Sequence, residues 1–269
     1  MQTLDDARIK SAAEKIRKVM NIVPEKESKS LYELAKKSAE EFLSCERYEG
    51  KQDMILLDSI LSVGRRYKLV EKWVDYYDKY VKARRFEHSL ETLAKLNLND
   101  YGNYLKSIGV SRVPNLSRVK AATKFASLFL QKYPKSSDRK PYGLFRWVKE
   151  TEGWTQFLKD YSKRDEFCKA FTRLMLKEFN RPWKERKLRG LSVFQYLRMQ
   201  CGEDTLKPDR RVIVILKRLL NYSTLNEVDC ILIASKIAKE LGIRLIELDQ
   251  IFVSEDYLSC EQKFETFLH

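Results

Sequence analysis

The sequence predicts an all-α protein, and three observations carry that expectation. Its 269 residues include only 9 Gly and 6 Pro, too few for the turns of a sandwich or barrel. Apolar positions recur at helical spacing along most of the chain. Several segments open with helix-capping patterns. With 43% hydrophobic and 33% charged residues, the chain can bury a core and is not of disordered composition. Its length admits one large domain or two lobes.

In chain order, residues 4–21 and 30–46 read as amphipathic helices, the second opened by a capping box from Ser30 to Glu33. An apolar helix follows over Met54–Val63, breaks near Gly64 and resumes through KLVEKWVDYYDKYV. Residues 86–108 and 116–133 read as two helices separated by GVSRVPN, and YPKSSDRKPYGLFRW is the most turn-like stretch and reads as a surface loop. Helices are expected at 154–160 and 165–179, the second ended by Pro182. A basic connector, RPWKERKLRG, leads into the helix LSVFQYLRMQ, which Cys201 and Gly202 stop, and Thr205–Pro208 reads as an extended link. Val212–Leu220 is either a buried helix or a short strand, because its VIVI run is β-branched. A helix over 225–241 has a capping box from Thr224 to Glu227 and Gly242 at C′, and a final helix covers 244–253.

Fifty-two Lys and Arg against 38 Asp and Glu give a net charge of +14. A surplus of this size makes a polyanion the leading partner class, with nucleic acid ahead of a membrane surface. No apolar stretch is long enough to span a bilayer, and the start of the chain lacks the apolar core of a signal peptide. The five cysteines lie at least 29 residues apart, with no CxxC unit, so reduced thiols in a cytoplasmic protein are expected. Only His88 and His269 are present, which argues against a histidine triad or a multi-histidine metal site, and the cysteine spacing offers no zinc or iron–sulfur signature, so no metal is expected. Chemistry on this chain has to rest on carboxylates, lysines or hydroxyls.

The informative stretch is 187–220, KLRGLSVFQYLRMQCGEDTLKPDRRVIVILKRLL. Over about 35 residues it resembles the helix-hairpin-helix DNA glycosylases, the superfamily of endonuclease III. The segment from Leu188 through Gly190, Leu191 and Ser192 occupies the hairpin. Lys207, Pro208 and Asp209 with Arg210, Arg211 and Val212 occupy the aspartate segment, and Lys217, Arg218 and Leu219 supply the basic-then-leucine ending. LGIRLIELDQIFV is similar to the last helix of members without an iron–sulfur cluster. The resemblance implies two helical lobes with a cleft between them, one lobe at 86–200 ending in the hairpin and the other formed by 1–85 with 201–269. It implies a monomeric, cofactor-free enzyme that removes a damaged or mismatched base from duplex DNA.

In that reading Asp209 is the catalytic carboxylate. It stabilises the cationic sugar that forms as the N-glycosidic bond breaks, and it orients water. Arg181, Lys184, Arg186, Arg189, Lys207, Arg210 and Arg211 are expected on DNA phosphates, with the backbone of Gly190, Leu191 and Ser192 at a helix N-terminus. Trp183, Phe194 and Tyr196 are candidates to stack on an extruded base, although aromatics at helical spacing are more often core. Ser192 stands where the family has its second hairpin glycine, and Phe194 where lyase members carry lysine. A hydrolytic, monofunctional reaction follows, with Lys187 the one nearby lysine that keeps a lyase step open. The rival reading is a non-catalytic helical DNA- or RNA-binding protein that retains the fold; a helical protein-interaction scaffold is the third.

Overall fold

The computed structural model describes residues 5–62, 67–110, 116–135, 141–150, 191–254 and 257. Among these the secondary structure is wholly helical: twelve α-helices, one short 3-10 turn and no strand. The helices expected at 154–160 and 165–179 lie outside the described residues, as does the basic connector before Leu191. The β-branched run that could have been strand is helix Arg210–Leu220. Its Val212, Ile215, Leu216 and Leu220 form one buried stripe, and that helical spacing outweighs the local β preference.

By contact, the described residues fall into two compact units, one of residues up to Ser44 with those from Leu191 on, the other of those from Cys45 to Glu150. The first unit holds α1 (Asp6–Met20), α2 (Leu31–Leu43), α9 (Leu191–Gln200), α10 (Arg210–Leu220), α11 (Glu227–Leu241) and α12 (Leu245–Val253). The second holds α3 (Gln52–Leu61), α4 (Tyr67–Ala83), α5 (Leu90–Ala94), α6 (Leu98–Ser107), α7 (Leu116–Lys132) and α8 (Gly143–Glu150). Two helices explain this grouping. All ten residues of α3 and nine of the ten of α9 are buried. A helix buried on every side has to be surrounded. In the middle unit α3 is wrapped by α4, α5 and α7, whereas α9 packs on α2 and α11 of the terminal unit.

Local chemistry sets the ends of these helices. Ser30 and Glu33 form the expected capping box at α2. At α11 the cap is Asn226, whose side chain accepts the Asp229 N–H at 2.9 Å, and not Thr224. Gly242 ends that helix at φ +72, a left-handed position suited to glycine. The stretch 86–108 is two helices instead of one, because the Asn97 side chain accepts the N–H groups of Asn99 and Asp100 and restarts the chain as α6. From α1, Arg8 donates to the Leu220 carbonyl and Arg17 to the Glu240 carbonyl. The two guanidinium groups thereby close the C-terminal ends of α10 and α11.

The middle unit carries its polar groups on the central helix. Asp58 of α3 pairs with Arg47 at 3.4 Å and accepts the Tyr48 hydroxyl at 2.8 Å. Gly143, at the head of α8, sits at φ +58 and donates its N–H to the Tyr133 carbonyl. A Cβ there would overlap Leu90 Cδ1 and Gln52 Oε1, and Gln52 Oε1 already accepts the Leu144 N–H at 2.7 Å. Gly143→Ala is therefore expected to cost about 3 kcal/mol, combining left-handed strain with overpacking. Urea denaturation of the pair checks this value.

Candidate functional site

The segment between α9 and α10, residues 201–209, is a link fixed by side chains on both of its flanks. From α9, the fully buried Arg198 pairs with Glu203 at 3.1 Å, and Gln195 Oε1 accepts the Thr205 hydroxyl at 2.7 Å. Two further hydrogen bonds join the link to α12, and a third joins the first turn of α10 to the residue that follows α12. Asp204 accepts the Ile246 N–H at 2.9 Å, Asp249 Oδ1 accepts the Lys207 N–H at 2.8 Å, and Arg211 donates to the Ser254 carbonyl. Pro208 has no N–H to satisfy, so a buried turn at this point leaves no orphan donor.

Asp209 stands where the link becomes α10. It is the N-cap residue, with Oδ1 accepting the Arg211 N–H at 2.9 Å and the Val212 N–H at 3.1 Å. The residue is partly buried, and both of these hydrogen bonds end on the same carboxylate oxygen. Behind it lies Asp249, 2% exposed, on a helix that is otherwise largely apolar. Burial pushes the Asp249 carboxyl up to about 7; the Lys207 N–H opposes that rise and the Asp209 carboxylate adds to it. Cys230 of α11 lies in the same neighbourhood. Its burial, together with Asp209, Asp249, Glu227 and Asp229, holds the thiol well above its ordinary value, so it is no nucleophile at neutral pH.

The other sequence candidates divide clearly. Arg210 is exposed at the first turn of α10. Lys207 is partly buried with its ammonium 3.8 Å from the centre of the Tyr196 ring, a cation–π contact inside the unit. Arg211 is committed to Ser254, so its guanidinium ties α10 to the end of α12. Phe194 and Tyr196 are buried, and Tyr196 packs among Ala39, Phe42, Met199 and Ile246. Their rings fill the core of the terminal unit, where burial favours them over an open stacking role. Leu191 is buried and donates its N–H to Glu227 Oε2 at 3.1 Å, and burial raises the Glu227 carboxyl. Ser192 is partly buried. Arg181, Trp183, Lys184, Arg186, Lys187, Arg189 and Gly190 lie outside the described residues.

Three carboxylates were not among the expected site residues: Asp204, Asp249 and Glu227, the last read only as part of a capping box. Asp249 had a signal, an acidic residue within LIELDQIFV at a position the helical stripe buries. Among the described residues no group of three His, Cys, Asp or Glu side chains is placed to hold a metal ion. None of the described helices is long and apolar enough to cross a membrane. Comparison with protein-family models, curated proteins and solved structures gives no match to any of them.

Proposed function

We propose that the chain is a monofunctional DNA glycosylase that hydrolyses the N-glycosidic bond of a damaged or mismatched base, with Asp209 as its carboxylate. The observation that carries this reading is the placement of Asp209. It is a partly buried acid locked at a helix head by two backbone amides, at the end of a link fixed on both flanks. A carboxylate held in one orientation can stabilise the developing oxocarbenium ion and direct water without a histidine. The net charge of +14 supports a DNA partner. A helix-hairpin-helix turn over 188–192 and a cleft admitting an extruded nucleotide belong to the same reading.

Leu191 favours a second reading, a nucleic-acid-binding protein without catalysis. Its N–H is taken by Glu227, whereas a phosphate-binding hairpin needs amides free to meet the backbone of DNA. Short duplexes carrying uracil, hypoxanthine, 8-oxoguanine or alkylated purines separate the two, with base release read as strand cleavage after alkali. Asn caps a helix as well as Asp does, so Asp209→Asn removes the charge and keeps the fold. Release from one lesion class, abolished in Asp209→Asn, is the expected result. Cleavage without alkali would bring in a lyase lysine, with Lys187 first to be replaced. Salt-dependent duplex binding without release from any lesion would establish the second reading, and no binding at low salt would sink both.

A further inference from the structure

The hydrogen bonds that join the link and the first turn of α10 to α12 and its C-cap residue keep a nearly constant offset. Asp204 meets Ile246 and Lys207 meets Asp249, each 42 residues on, and Arg211 meets Ser254, 43 residues on. A constant offset means that the link and the head of α10 together are laid along α12, the link on its first half and Arg211 at its end. The middle bond reaches Asp209 through the Lys207 peptide. Both polar backbone groups of Lys207 are committed: its N–H to Asp249 Oδ1 at 2.8 Å, and its carbonyl to the Asp209 N–H at 2.7 Å. Asp249 Oδ2 accepts from Gln250 Nε2 at 3.1 Å, and Gln250 Oε1 accepts the Ser38 hydroxyl of α2 at 2.8 Å. An unbroken chain of contacts thus runs from α2 through Gln250, Asp249 and Lys207 to Asp209.

We propose that α12 is the element that positions Asp209, and that Asp249 is its positioning residue, fixing the Lys207–Asp209 turn against the head of α10. The consequence for base release rests on the reading of Asp209 as the catalytic carboxylate; the positioning itself does not. Asp249 touches none of the reacting atoms. It acts through the Lys207 peptide, and a group held by one hydrogen bond at two residues' remove is sensitive to displacements of about 1 Å, which can cost on the order of a hundredfold in rate. The titratable and charged groups around Asp249 are Asp209 and Lys207 on the link and Cys230 on α11, while α2 reaches it through Ser38 and Gln250.

Two variants of the full chain test this. The side-chain amide oxygen of the Asp249→Asn variant can still accept the Lys207 N–H; Asp249→Leu offers no acceptor. The readouts are amide hydrogen exchange at Lys207, Arg211 and Val212, and single-turnover base release with duplex affinity measured alongside. Asp249→Asn is expected to keep all three amides protected and release within about threefold of the parent. Asp249→Leu is expected to lose at least about tenfold in protection at all three amides and about a hundredfold in release, with affinity unchanged. Ser38→Ala, a milder break at the far end of the chain of contacts, is expected to lower Lys207 protection severalfold and covers the case where the leucine variant does not fold. Protection at Arg211 and Val212 that survives Asp249→Leu would overturn the proposal, as would Asp249→Asn failing as badly as Asp249→Leu. If the parent releases no base, that failure falls on the glycosylase reading, and the exchange data still decide the positioning.

Discussion

Asp53→Ala is expected to destabilise the middle unit by about 4 kcal/mol. Asp53 is 0% exposed, on the central helix α3, and its Oδ2 accepts the Tyr77 hydroxyl at 3.0 Å and faces His88 Nδ1 at 2.8 Å. Tyr77 is itself fully buried, and burial with the neighbouring Asp53 holds its hydroxyl protonated, so it remains a donor at any working pH. The His88 ring spans two carboxylates, with Nε2 at 3.1 Å from Asp78. Deleting Asp53 leaves the buried Tyr77 hydroxyl and the partly buried His88 ring nitrogen without their partner, and each orphaned group costs about 1–3 kcal/mol. Asp53→Asn keeps one acceptor oxygen and is expected to cost about half as much. Amide exchange reads the effect directly, because 4 kcal/mol corresponds to a loss of roughly a thousandfold in protection. That loss should appear in α3 and spare α9 of the terminal unit. An α3 that exchanges as slowly in the alanine variant as in the parent would show that the carboxylate is not the tie between these helices.

The same residues show what one sequence can and cannot disclose. Helices with a clear stripe or cap were legible: α2 through Ser30 and Glu33, α9 between the basic connector and Cys201, α12 after Gly242. The break at Asn97 was not, because Leu93, Leu96 and Leu98 continue an apolar pattern across it and only a side-chain cap ends the helix. The grouping of helices into units was hidden for a related reason. The sequence marks α3 as strongly apolar over Met54–Leu57 but does not name the helices that cover it. At the candidate site, Asp209 was singled out by the resemblance around it, and its place as a cap follows from the two amides its side chain accepts at the head of α10. Asp249 was not, since its role depends on a backbone N–H 42 residues earlier. Tyr196 and Phe194 illustrate the converse, with aromatic side chains of binding character spent on the core.

The Asp249 carboxyl also makes a prediction about stability that needs no substrate. Its ordinary value of 3.8 is raised to about 7 in the folded chain, chiefly by complete burial and secondarily by the Asp209 carboxylate, against the Lys207 N–H. Between these two values the folded protein keeps a proton that the unfolded chain has lost. Stability changes with pH in proportion to the protons bound by the unfolded state minus those bound by the native one. That difference is negative here, so this group's contribution is greatest below about pH 4, falls as pH rises toward 7, and is level above it. The fall has an upper bound on the order of 4 kcal/mol, at 1.36 kcal/mol for each unit of displacement. Several exposed carboxylates act in the opposite sense. Asp100, beside Tyr80 and Arg84, and Glu33, on Ser30, are held below their ordinary values and stabilise the fold above them. Subtracting the curve of Asp249→Asn from that of the parent removes those contributions and isolates the buried acid. Asparagine retains the acceptor for Lys207 and carries no charge, so the variant is expected to gain stability relative to the parent as pH rises from 4 to 7, and to keep that gain at pH 8. Urea midpoints of the two proteins at pH 4.5, 6 and 8 measure it. Parallel curves across that range would mean that Asp249 ionises at little cost where it stands, and that water or a cation reaches it in the folded chain.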